Sequence, residues 1–100
     1  MAGYELELTM LKQDLKIVSD KIEPYLIHLL EAAEEYITTE GIRLDSTPGD
    51  RQLIVMYAAY LYRKRGEESP AMPRMLRYAL NNRLFSQKMK EADGWTGQQS

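Results

Sequence analysis

The sequence predicts an all-α protein: a small bundle of four to five helices around a buried central helix. Three observations carry this. Apolar residues recur at three-four spacing from Ile22 to Ile37, the period of a helix with one inward face. The segment Leu53 to Tyr62 is apolar almost all round, as expected of a helix buried on every side. Start and stop signals, among them Thr47-Pro48, Gly41 and Gly66, divide the chain into helix-length pieces. The chain has 100 residues, 44% of them hydrophobic, which suits one folded domain rather than a disordered one. A domain of this size buries only roughly 60–70% of the surface its unfolded chain exposes, so its core is thin.

The first helix is short. Thr9 is placed to cap it, Met10 to Lys16 follow, and Leu8, Leu11 and Leu15 share one face. Ile17-Val18 reads as an extended connector. The second helix begins with Ser19 or Asp20 as cap and runs to about Glu40, before Gly41. Pro24 tolerates only a first-turn position, which argues for a start a residue or two later. Its apolar stripe is Ile22, Leu26, Leu29, Ala33, Tyr36 and Ile37, and Glu23, Glu31, Glu34 and Glu35 occupy much of the other side.

Thr47-Pro48-Gly49-Asp50 reads as a cap, a proline at the first helical position and an acid three residues after the cap. The third helix then runs to about Arg65. Glu67-Glu68-Ser69-Pro70 is a turn, and the fourth helix starts between Pro70 and Pro73. Its expected inner face is Met72, Met75, Leu76, Ala79 and Leu80. After Asn81-Asn82 the apolar positions shift to Leu84, Phe85 and Met89, which predicts a bend or a separate final helix. Residues 1–93 thus form one helical domain, and residues 94–100 a flexible C-terminal tail.

The composition narrows the chemistry. There is no cysteine, which removes disulfides, zinc ribbons and thiol nucleophiles and fits folding in a reducing cytosol. Met1-Ala2-Gly3-Tyr4-Glu5 lacks the basic and apolar regions of a secretion signal. The longest uncharged run, Gln52 to Tyr62, falls far short of the ~20 residues that span a bilayer, so no membrane association is expected. His28, the single histidine, shares a face with Glu31, but zinc and di-iron sites need further ligands that the pattern does not supply. Glu31, Glu34 and Glu35 read as a solvated row rather than an acid/base pair, and no phosphate loop or nucleophile elbow occurs. The expectation is a protein without catalytic, cofactor or metal residues: not an enzyme, but a binder of other proteins.

Arg63-Lys64-Arg65 complements the dipole at a helix C-terminus. A helix-turn-helix is disfavoured because Gly66 to Met72 is too long for its turn. Tyr57, Tyr60 and Tyr62 with Met56 read as core and subunit contact. Trp95 is a candidate partner anchor. Net charge is −2, but residues 1–50 carry eleven acids and four bases, while residues 51–100 carry four acids and nine bases. Copies with an acidic and a basic side can dock head to tail, and such contacts close into rings.

The order of segments resembles the head–tail connector (adaptor) proteins of tailed bacteriophages. The resemblance spans about residues 8–85. It rests on Leu11-Lys12 with Leu15-Lys16-Ile17, the polar step Ser19-Asp20, and Leu26-Ile27-His28-Leu29-Leu30-Glu31-Ala32-Ala33-Glu34-Glu35-Tyr36-Ile37. It continues with Tyr57-Ala58-Ala59-Tyr60-Leu61-Tyr62-Arg63, a proline-rich turn and Pro73-Arg74-Met75-Leu76. The segment after Asn82 lies outside the matching pattern. The resemblance implies a structural virion protein, made in the bacterial host cytoplasm and located at the virion neck. It would form a ring of about twelve copies under the portal protein. Such a ring extends the DNA channel, passes DNA without sequence-specific binding, and docks a stopper or tail-completion protein. On this reading Glu31, Glu34 and Glu35 meet Arg74, Arg77 or Arg83 of the next copy, and Phe85, Met89 and Trp95 reach toward the portal. The alternative is a small cytosolic helical adaptor or regulator with one protein partner; a DNA-binding regulator is the third reading.

Overall fold

The computed structural model describes residues 2–66 and 71–96, with side chains over 3–66 and 71–92. Its elements are a 3-10 turn, Ala2–Tyr4, and four helices: α1, Glu5–Leu15; α2, Glu23–Thr39; α3, Pro48–Lys64; and α4, Arg74–Thr96. No strand occurs among the described residues. The chain is all-helical, as the periodicities require.

α1 starts earlier than the sequence suggests. Thr9 is not its cap but lies mid-helix, where its hydroxyl donates to the Glu5 carbonyl at 3.1 Å. A threonine at either place satisfies the same hydroxyl, so the residue alone does not mark the start. Leu11 is fully buried, and Leu8 and Leu15 pack against the core beside it. The C-terminus is a Schellman arrangement. Lys16 adopts a left-handed conformation at φ 60°, with its N–H on the Gln13 carbonyl, while Ile17 N–H reaches the Lys12 carbonyl at 2.9 Å. Ile17 then folds back onto the core.

α2 starts at Glu23, so neither Ser19 nor Asp20 caps it. Pro24 is the reason: it must fall within the first turn, where its missing N–H is not needed. Ser19 and Asp20 instead shape the preceding turn, through Lys21 N–H to Ser19 Oγ and Glu23 N–H to the Asp20 carbonyl. The helix ends before Gly41, whose φ of 99° favours a residue without Cβ.

α3 follows its sequence signals. Thr47 Oγ1 accepts from Asp50 N–H at 3.2 Å, and Pro48 opens the helix. Leu53, Ile54, Val55, Tyr57, Ala58, Ala59 and Leu61 are all buried. α3 packs against α1, α2 and α4, most extensively against α2. Leu26, Leu29, Leu30, Ala33 and Ile37 of α2 complete that interface.

α4 differs most from expectation. It is one 23-residue helix running through Asn81-Asn82 without a break and past Gly94 to Thr96. The remaining expected tail residues, 97–100, and the expected turn 67–70 lie outside the described residues. Met75, expected inside, is exposed; Leu76 and Leu80 face the body. The inner stripe continues beyond them through Leu84, Arg83 and Gln87, which are half-buried or buried. A stripe that turns polar looks like a break in a hydrophobicity pattern, but here the polar members have partners in the 41–50 loop.

Those partners form the chief polar contact of the fold. Arg83 grips Asp50 with Nε to Oδ1 at 2.6 Å and Nη2 to Oδ2 at 3.0 Å, and Nη2 also donates to the Arg43 carbonyl. Asp50 is 3% exposed and accepts a further bond from Asp45 N–H at 2.7 Å. The Gln87 amide pairs with loop backbone as another peptide would. Its Nε2 donates to the Gly41 carbonyl at 2.8 Å, and its Oε1 accepts from Arg43 N–H at 2.7 Å. Burial pushes the Asp50 carboxyl up, but the guanidinium and the Asp45 N–H outweigh it and hold it below the usual carboxylate range. The molecule measures 54 × 33 × 19 Å, and its thin axis is about two helix diameters.

Candidate protein-binding surface

The outer face of α4 carries four apolar side chains, with Asn82 among them, that no described residue covers. Met75, Tyr78, Phe85 and Met89 are 75%, 61%, 64% and 49% exposed. At 3.6 residues per turn they fall within an arc of about 80°, and along the axis they span about 21 Å. Together they expose roughly 500 Å² of side chain, taking about 200 Å² for each residue. That equals the largest apolar patch of a typical monomer, and such patches mark sites of association. The stripe has a cationic border: Arg74 and Lys88 along one side and Lys90 on the other, all exposed.

The arginines expected to cross to a neighbouring copy divide into two groups. Arg74 is exposed at the start of α4. Arg77 is engaged within the chain, donating to both Glu40 oxygens at 3.0 and 3.2 Å, which raises its already high pKa. Arg83 is likewise held by Asp50. Phe85 and Met89 are exposed on the same stripe as Met75 and Tyr78. The Trp95 side chain lies outside the described residues.

The acids lie on another part of the surface. Glu31 and Glu35 are exposed on the outer face of α2, between the exposed rings of Tyr25 and Tyr36. Glu34 is half-buried and accepts from Tyr4 OH at 2.6 Å. Burial, then that bond, pushes the Tyr4 phenol well up. Tyr36 stacks on Tyr57 at 5.7 Å, and Tyr57 meets Tyr60 edge-on at 5.8 Å, so part of the expected aromatic box is a contact between α2 and α3.

The basic cluster closing α3 is occupied locally. Arg63 reaches Asp14 at 3.2 Å, Lys64 lies over the Tyr60 ring, and Arg65 lies over the Tyr62 ring. His28 is exposed beside the Tyr25 ring. Among the described residues, no group of three His, Cys, Asp or Glu is placed to hold a metal. No helix among them is long and apolar enough to cross a membrane.

Three of the four stripe residues, Met75, Phe85 and Met89, are marked by the sequence pattern, but Tyr78 and the stripe itself are not. Met75 continues the spacing of Met72 and so reads as core in the pattern, and Phe85 and Met89 read as a new face. The signal was present: Met75, Tyr78, Phe85 and Met89 keep a common helical phase if α4 is allowed to continue through Asn81-Asn82. No family model, curated protein or solved structure matches the chain.

Proposed function

We propose that this chain is a structural subunit of a tailed-bacteriophage head–tail connector, built on α3 as its central helix. The observation that carries the reading is the α4 stripe: four exposed apolar side chains, bordered by cations, that no described residue covers. A monomer gains nothing from exposing it; a subunit that is completed by partners does. The resemblance of residues 8–85 to connector proteins supplies the identity of the assembly, and the uneven charge suits repeated copies of one chain.

On this proposal the chain forms a ring of about twelve copies at the virion neck. The ring contacts the portal protein on one side and a stopper or tail-completion protein on the other. DNA passes through its lumen without base readout, which needs no strongly basic lining. The far end of α4, around Trp95, is the proposed portal contact. No reaction is assigned to the chain.

The test is immunogold localisation in particles made by a strain carrying this gene. Label at the junction of head and tail supports the connector. Intact particles without label, with the chain found in the cytosol, refute it in favour of a helical adaptor with a single partner.

A further inference from the structure

We infer that the α4 stripe is covered by the outer face of α2 from a second copy of this chain. The inference rests on the connector reading and names the contact that would build its ring. The stripe consists of Met75, Tyr78, Phe85 and Met89, with Arg74 and Lys88 along one side and Lys90 on the other. This border selects against an α4–α4 pair. An antiparallel pair centred near Asn82 sets Arg74 beside Lys88 and Lys90 of the other copy, and a close array of like charges opposes docking. The border calls for an acidic helical face instead.

The chain carries one. Tyr25, Glu31, Glu35 and Tyr36 are exposed on α2; along the axis the acids fall between the rings, and around it they lie about 80–140° to one side of them. From Tyr25 to Tyr36 this face runs about 17 Å, against about 21 Å for the stripe. Ring and acid on α2 thus find apolar and basic counterparts on α4 over matching lengths. The contact joins different faces of the two copies, so the pair keeps one free α2 face, on one copy, and one free α4 face, on the other. That is the geometry of a ring or a filament, not of a closed dimer. The stripe contributes roughly 500 Å². The stems of Arg74 and Lys88 bring the buried area toward the ~800 Å² per partner of a stable interface.

Arg77 and Arg83 take no part, since Glu40 and Asp50 hold them. Their replacement would therefore unsettle the fold, whereas Arg74 and Lys88 are free to be reversed.

The experiment is sedimentation velocity of the full chain over a concentration series at low and moderate salt. Circular dichroism confirms that every variant is folded. The wild type is expected to self-associate, more weakly as salt screens the charged border. Arg74→Glu/Lys88→Glu and Glu31→Lys/Glu35→Lys should each weaken association by about tenfold or more. The four substitutions in one chain should restore it to within about threefold. A wild type that stays monomeric throughout overturns the inference. So does association weakened by the α4 reversals but not by the α2 reversals, or a combined variant that fails to recover. These outcomes leave the connector reading to the particle measurement, which does not depend on which faces meet.

Discussion

Arg83→Met is the substitution that most directly tests how α4 is held. It removes the guanidinium from Asp50, which is 3% exposed, and leaves that carboxylate with the Asp45 N–H as its remaining described hydrogen-bond donor. Stripping one partner from a buried ion pair costs about 3–5 kcal/mol. The Asp45 bond and the position of Asp50 in the first turn of α3 offset part of this, so about 2–3 kcal/mol is expected near pH 7. For a domain of this size that lowers Tm by roughly 10 °C or more. The pH dependence has a definite sign. In the wild type the Asp50 carboxyl lies below its usual range. Its contribution is therefore full above the unfolded pKa of about 3.9 and fades as pH falls through the lower folded value. In the variant, burial without the guanidinium raises that pKa, so the variant loses stability as pH rises. The gap between the two proteins should be widest near neutrality, narrow as pH falls, and close only as pH passes through the lowered folded pKa of Asp50. Urea melts followed by helicity at several pH values measure it, and a cycle with Asp50→Ala isolates the pair. A gap under about 0.5 kcal/mol at pH 7, or one that does not change with pH, would refute the Arg83–Asp50 pair as what holds α4.

Lys16→Gly should stabilise the fold by a few tenths to about 1 kcal/mol, because glycine adopts the left-handed conformation without a Cβ clash; a loss of stability in the same melts would contradict the Schellman reading. Thr47→Ala should cost about 1 kcal/mol by removing the cap on Asp50 N–H, and Thr47→Ser should recover most of it. Gln87→Leu should cost about 1–3 kcal/mol despite its greater hydrophobicity, since it leaves Arg43 N–H and the Gly41 carbonyl without their partner. Tyr78→Lys with Phe85→Lys should change monomer stability by less than about 0.5 kcal/mol, both residues being exposed, yet block assembly; retained assembly would show that the stripe is not a contact.

The helices were legible where one physical signal dominated. Leu26, Leu29, Ala33 and Ile37 keep one phase and are all buried, and Thr47-Pro48 placed the start of α3 because cap and proline act within a single turn. Thr9 misled because a threonine hydroxyl is satisfied equally by a cap position or by the carbonyl four residues earlier. Asn81-Asn82 misled because helix propensity is a weak preference, a few tenths of a kcal/mol to about 0.7 per residue, which docking of Leu80 and Leu84 overrides. The Arg83–Asp50 pair was invisible for another reason. Asp50 serves as the first-turn acid of α3 in any local reading, and its partner Arg83 is far along the chain. A buried ion pair of that separation depends on tertiary structure and leaves no periodic trace. The same fact redirected the interface. The charge split marks Arg74, Arg77 and Arg83 alike as basic, but only the fold separates the exposed Arg74 from the two arginines whose charge is already met.

The connector reading is tested most directly by the number of copies of this chain in purified particles, counted by quantitative mass spectrometry against the portal protein. About a dozen copies per particle are expected, one for each portal subunit. Fewer than one copy per particle, in particles that are intact and infectious, would contradict it.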